Sequence, residues 1–233
     1  MPQFVRSFAL TALLVCVAVP AADAGANLPA RFPAAGELHR TVAVRAAPRP
    51  SAPLVRTMRR FRPDGQFQIV LALSSRRGSD RAWWYRLSLP GHPNGARGWV
   101  RADAADVRPM TNRVVVRLGA RRLEVRRIRD GRLVLGSVAA VGAPGSRTPL
   151  GRSFYVESGF VPTDPFYGTF ALETSAYTRV TDWPGKGVVG IHGTNARGLL
   201  GQAVSHGCIR VDNAVATRLR RLAPPGTPID VLP

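Results

Sequence analysis

Cysteine is nearly absent from this chain. Its 233 residues include two, Cys16 and Cys208, which excludes a fold stapled by several disulfides. Lysine is rarer still, with Lys186 alone among 33 basic residues. Acidic residues number only 14, leaving a formal net charge of +19. Long apolar runs are also missing. The one candidate, Phe8 to Val19, falls short of the roughly 20 residues that a bilayer core demands, which excludes a transmembrane helix on length.

That run does have a use. Residues 1 to 24 carry Arg6, the apolar stretch, then Ala22 and Ala24 in an A-x-A arrangement. The pattern predicts a secretory signal peptide cleaved after Ala24, and so an exported protein of the periplasm or cell wall. Val15, where a small residue would be needed, argues against a lipoprotein signal at Cys16. Cleavage leaves Cys208 as a lone thiol, and the charge stays at +19 because Arg6 and Asp23 cancel. For an exported protein, anionic wall polymers are nearer polyanions than nucleic acid. A merely solvated, arginine-biased surface is an equal alternative, since net charge does not speak to chemistry.

The remaining residues divide in two. Residues 25–37, rich in Ala, Pro and Gly, read as a disordered lead. From 38 to 109, "TVAVR", "QFQIVLAL", "WWYRLSL" and "RGWVRAD" are short β-branched and aromatic runs between turn residues, the pattern of a small all-β barrel. Trp83, Trp84, Tyr85 and Trp99 supply its large apolar groups. From Asn112 to the carboxyl end the chain again reads mainly as strands. "RRLEVRRIRDGRLVLGSVAAV" predicts a hairpin turning at Asp130-Gly131. One helix is expected over "NAVATRLRRLA", capped by Asp212, with Val215, Leu219 and Leu222 on one face and Pro224-Pro225 ending it.

The chemistry gathers in "IHGTNARGLLGQAVSHGCIR", which holds His192, His206 and Cys208. A cysteine nucleophile needs a base, something to orient that base, and donors for the oxyanion formed at an attacked carbonyl. Either imidazole can serve as base. Gly207 lets its own amide and that of Cys208 turn toward an oxygen. Arg210 can lower the thiol pKa or hold a substrate carboxylate, and the sequence does not choose between them. Three other readings compete: a zinc site from His192, His206, Cys208 and Asp212, whose spacing is unfamiliar; an inert buried cysteine, which the polar neighbours disfavour; and a papain-like peptidase, in which the cysteine precedes its histidine rather than following it.

"IHGTN" at 191–195, "SHGCIRVDN" at 205–213 and "RTPLGRSFYV" upstream together resemble the L,D-transpeptidase (YkuD-type) catalytic domain, from about Asn112 onward. One departure is Ser153, standing between Arg152 and the aromatic Phe154. "VAVRAAPRPSAPLV" with "WWYRLSLPGHPNGARGWVRAD" resembles a bacterial SH3-like module. The implied fold is mainly β, an SH3-like barrel over 38–109 followed by a β-rich catalytic domain over 112–233 with one C-terminal helix. The implied activity is acyl transfer between peptidoglycan stem peptides, donor and acceptor, through a thioester, with release of D-alanine, a 3-3 cross-link, and no metal or cofactor. An L,D-carboxypeptidase and a noncatalytic wall binder are the alternatives. The resemblance implies Cys208 as nucleophile and His192 as base, oriented by the Gly193 carbonyl. His206 and Gly207 would shape the loop, Ser205 would bond within it, Arg210 would stabilise the site or engage a carboxylate, and Tyr177 would assist the oxyanion.

Overall fold

The computed structural model describes residues 28–180 and 186–233. The signal peptide expected over 1–24 and its cleavage point lie outside the described residues. Seven strands make a first sheet: β1 (Ala34–Glu37), β2 (Val42–Arg45), β3 (Leu54–Met58), β4 (Ile69–Arg77), β5 (Trp83–Ser88), β6 (Arg97–Arg101) and β7 (Arg108–Pro109). Their order is β3-β2-β6-β5-β4-β1-β7, with antiparallel pairing throughout. The lead is therefore shorter than expected. Ala34–Glu37 pairs with both β4 and β7, and Ala34 and Leu38 are fully buried in the core of the first sheet.

Two residues, Met110 and Thr111, separate β7 from the next strand. The second part contains β8 (Asn112–Arg117), β9 (Arg122–Arg127), β10 (Leu133–Val138), β11 (Val141–Gly142), β12 (Gly151–Phe160), β13 (Ala171–Tyr177), β14 (Val188–His192), β15 (Ala203–Ser205), β16 (Ile209–Arg210) and β17 (Pro228–Leu232). Eight of them form the sheet β10-β9-β8-β17-β12-β13-β14-β16, while β11 and β15 pair separately. The fold is largely β, with one α-helix among the described residues, α1 (Asn213–Leu222). Asp212 Oδ1 accepts from the Ala214 N–H to start α1, Arg220 and Arg221 sit in its last turn, and Ala216 and Leu219 enter the core that Val116, Val156, Ile191 and Val231 share.

The β9–β10 turn differs from its expected two-residue form. The Arg127 N–H bonds the Arg132 carbonyl across a four-residue loop, and only Gly131 takes a positive φ, of 69°. Asp130 instead accepts from the Arg132 N–H through its side chain, a local bond that removes the need for a second left-handed residue.

The sheets are clasped together. Ala35, Leu71 and Tyr155 form a small buried cluster spanning both. Ser88 Oγ donates to the Ser153 carbonyl at 2.6 Å, and Asn94 both donates to and accepts from the backbone of Tyr177. Ser153 sits where β12 slips register against β17, with φ of 65°, and its N–H donates to Asp230 Oδ1. The residue that departs from the family pattern is thus a bulge at the contact between sheets. Gly226 packs against Ala35: a Cβ there would lie 2.2 Å from the Ala35 Cβ, and its φ is 88°.

Gly65 has a similar φ of 81° with nothing within 4 Å of an added Cβ. Gly65→Ala is therefore expected to cost only the left-handed penalty, about 1 kcal/mol. Gly226→Ala should cost roughly 1–3 kcal/mol more from overpacking. Comparison of the two variants' thermal midpoints tests this, and equal shifts would refute a close contact at Gly226.

Candidate active site

Cys208 and His192 are brought into one cavity by parallel pairing. β14 and β16 align Ile191 with Ile209 and His192 with Arg210. Cys208, one residue ahead of β16, then lies against Gly190, whose N–H points at Sγ from 3.3 Å. A Cβ on residue 190 would lie 3.7 Å from both Cys208 Sγ and His192 Cδ2. Gly190 is thus a common neighbour of the thiol and the imidazole.

His192 is 2 % exposed, and its Nδ1 lies 2.6 Å from the Gly193 carbonyl oxygen. A carbonyl can only accept, so Nδ1 carries the proton and Nε2, next to Cδ2, keeps a free lone pair. Burial drives the His192 pKa down to about 4, against the opposing Gly193 bond, and the charge of Arg210 pushes it the same way. Burial also raises the Cys208 pKa, outweighing the Gly190 N–H and Arg210, which lower it. At neutral pH the pair is thus a neutral thiol beside a neutral imidazole.

The loop before Cys208 is bonded into a fixed shape. Ser205 Oγ donates to the Cys208 carbonyl at 2.6 Å and accepts from the Gly207 N–H at 3.1 Å. Thr148 Oγ1 donates to the Gly207 carbonyl at 2.8 Å. Gly207 has a φ of 119°, and a Cβ there would sit 3.0 Å from Thr178 Cβ, so no other residue fits unstrained. Of the two amides singled out for an oxyanion, that of Gly207 is already given to Ser205. The Cys208 amide has no partner among the described residues.

The other sequence candidates are placed as follows. His206 is exposed and does not line the Cys208 cavity. Asp212, fourth ligand of the zinc alternative, caps α1 and pairs with Arg197 at 2.9 Å. Arg210 is 7 % exposed, its guanidinium stacks 4.7 Å from the Phe166 ring, and its Nε has no partner among the described residues. Tyr177 lies between the sheets, against Asn94 and His92, and lines neither the thiol nor His192.

A different tyrosine occupies that position. The cavity of about 300 Å³ holding Cys208, His192 and Gly190 is also lined by Tyr167, Asp164, Leu172 and Glu173. The Tyr167 ring meets that of His192 edge-on at 4.9 Å. Burial and the nearby Cys208 raise the Tyr167 pKa. Tyr167 ends a short 3₁₀ turn, Pro165–Tyr167, capped by Asp164 Oδ1 on the Phe166 N–H. The signal was present in "TDPFYG", an Asp-Pro turn start and a glycine enclosing two aromatics.

Asn213 was also missed as a site residue. Its Oδ1 accepts from the N–H groups of Thr169 and Thr194, tying the strand after that turn and the segment after His192 to the start of α1. Gly168 and Gly193 both abut this oxygen, at positions where a Cβ would collide with it. Because Gly193 supplies the carbonyl that orients His192, Asn213 is a positioning residue for the imidazole.

A cysteine thiol and a buried, backbone-oriented histidine share one cavity on a β scaffold, the residue types that a cysteine acyl-transfer class of site requires. The family profile described as the L,D-transpeptidase catalytic domain, YkuD, matches residues 111–231, and the chain belongs to that family. A protein of Bacillus licheniformis provisionally named L,D-transpeptidase YkuD is 36 % identical over 121 residues, covering 52 % of this chain and 66 % of that protein. Its namesake in Bacillus subtilis is 31 % identical over 118 residues, covering 51 % and 64 %. The match thus spans just under two thirds of each relative's length. Among solved structures, L,D-transpeptidase 3 of Mycobacterium tuberculosis with a faropenem-derived adduct is 16 % identical, covering 87 % of this chain and 99 % of that one at a TM-score of 0.48.

Two outcomes are expected from this geometry. Asn213→Ala leaves the buried Thr194 N–H without its acceptor, which should cost about 1–3 kcal/mol and slow any acylation of Cys208, whereas Asn213→Asp keeps the oxygen and most of both. Denaturation and thiol-acylation rates check this, and an Ala variant equal to the parent would refute it. Secondly, with a His192 pKa of about 4 against 6.5 when free, the unfolded chain takes up the proton first as the pH falls. The stability linked to neutral His192 is full above pH 6.5 and lost progressively between 6.5 and 4, by roughly 3 kcal/mol. Melting curves at pH 4 and 7 should show a smaller loss for His192→Asn than for the parent.

Proposed function

We propose that this chain is an exported peptidoglycan L,D-transpeptidase that forms 3-3 cross-links through a thioester on Cys208. The observation that carries the reading is the Cys208 thiol set across Gly190 from a neutral His192 whose Nδ1 is held by Gly193. Membership of the family supports it.

In the proposed cycle, the carbonyl attacked belongs to the third residue of a stem tetrapeptide, an L-centred diamino acid. His192 Nε2 takes the thiol proton as sulfur attacks, which suits a neutral pair better than a standing thiolate. The oxyanion meets the Cys208 amide, with the Tyr167 hydroxyl at the cavity wall as the second donor in place of Tyr177. Collapse breaks the C–N bond, D-alanine leaves with the proton from His192, and a thioester remains. The side-chain amine of a second stem then forms a new C–N bond and releases the thiol. The thioester conserves the energy of the first bond, so no cofactor enters the cycle. Arg210, stacked beneath Phe166, holds the turn that carries Tyr167 over His192. The first sheet, SH3-like in our reading, holds the catalytic part near peptidoglycan, and the +19 charge favours anionic wall polymers. No helix among the described residues is long and apolar enough to cross a membrane.

The test is mass spectrometry of products from purified tetrapeptide muropeptides, with the parent chain and Cys208→Ala. A cross-linked dimer lacking one D-alanine, made by the parent alone, is the expected result. Tripeptide without dimer would replace the reading with an L,D-carboxypeptidase, and unchanged substrate with retained binding to sacculi would replace it with a wall binder.

A further inference from the structure

The chain as a whole is strongly basic, yet no arginine or lysine lines the Cys208 cavity, whose acidic side chains are Asp164 and Glu173. Asp164 caps the 3₁₀ turn through Oδ1. Glu173 is set differently. It lies on β13 directly across from Gly190, the residue that touches Sγ, and across from Ser158 on its other side. Ser158 Oγ donates to Glu173 Oε2 at 2.8 Å. Arg62, from the first sheet, donates through Nη2 to the same oxygen. Oε1 has no partner among the described residues. One oxygen is therefore anchored, and Glu173 lines both the Cys208 cavity and a neighbouring pocket that it shares with Arg62, Asp64 and Glu157.

Arg62 reaches this point across the contact between the sheets. Its side chain is 13 % exposed and also pairs with Asp64 at 3.1 Å. The neighbouring Glu157 is 8 % exposed and has its pKa raised by burial, with Arg62 opposing the rise. Arg62 is thus shared among three carboxylates, Asp64, Glu157 and Glu173, and its closest bond is to Glu173.

We propose that Glu173, fixed by Arg62 of the first sheet, is the recognition group for the cationic primary amine that resolves the thioester. The proposal rests on the acyl-enzyme reading above and makes the first sheet part of acceptor selection rather than a spacer. The ammonium docks on Glu173 and passes one proton to solvent. The resulting amine attacks the thioester carbonyl, the C–N bond forms and the C–S bond breaks. The second amine proton travels through His192 Nε2 to the departing sulfur. Glu173 contacts the acceptor directly, while Arg62 is a positioning residue that acts through it.

The experiment uses the full chain, acylated on Cys208 by a tetrapeptide donor and followed by intact mass. Two acceptors are compared at neutral pH: a stem peptide with a free side-chain amine, which is cationic, and hydroxylamine, which is an uncharged nucleophile for the same bond. Glu173→Gln is expected to raise KM for the amine roughly tenfold, the loss of about one charge-assisted bond, with little change for hydroxylamine. Arg62→Met should raise the same KM by less, and Arg62→Lys should recover most of it. Unchanged amine KM in Glu173→Gln would overturn the proposal, as would a parallel loss with both nucleophiles, which would mark a structural role. Acylation followed by normal resolution with water alone would overturn it while leaving the thioester intact as a finding. A parent chain that never gains donor mass would overturn the acyl-enzyme reading and this proposal together.

Discussion

The parallel pairing of β14 with β16 is the constraint on which the site depends. Residues 192 and 208 are separated by a long loop, yet the register of Ile191 with Ile209 brings Sγ and the imidazole beside the same glycine, Gly190. Parallel neighbours need a crossover, and here the crossover is the segment that includes β15 and the Ser205–Gly207 turn. β15 pairs with β11 and is fixed further by Ser146 Oγ on the Ser205 carbonyl. The Cys208 backbone is therefore set by the sheet, and its loop is closed by hydroxyl bonds from Ser205 and Thr148.

Electrostatics at this pair is decided by desolvation. Arg210 lies close enough to favour the thiolate and to disfavour imidazolium, but burial moves the thiol pKa up despite it and accounts for most of the fall at His192. A standing ion pair would have to overcome the cost of two charges in a low-dielectric site. A neutral pair avoids that cost and keeps the imidazole basic lone pair on Nε2, with tautomer and ring orientation set by one backbone carbonyl. Asn213 and the glycines at 168 and 193 are the supports of that carbonyl, so residues that never touch the thiol govern its partner.

The first sheet is joined to the second by more than the two residues between β7 and β8. A bulge at Ser153, the close approach of Gly226 to Ala35, the buried Tyr155 and the Arg62–Glu173 pair all lie on one contact. These are features a freely swinging module would not need. They give a physical route by which the first sheet bears on the cavity, since Glu173 bonds Arg62 and also lines the cavity that holds Cys208.

Much of this was legible along the chain because it is local. Alternating β-branched runs such as "NRVVVR", an Asp before a periodic helix, and the spacing of "SHGCIR" report on their own neighbourhoods. Gly207 next to Cys208 was readable for the same reason, as only glycine tolerates that backbone. What the sequence could not determine was long-range. The lead's Ala34–Glu37 becomes a strand only because β4 and β7 flank it, and the Gly207 carbonyl is held by Thr148 from a distant part of the chain. Tyr167 rather than Tyr177 reaches His192 because one follows β12 on a capped turn at the cavity, while the other ends β13 against Asn94. Residue type and local spacing determined which groups could do chemistry, whereas tertiary pairing, through burial and cross-sheet hydrogen bonds, decided which of them meet.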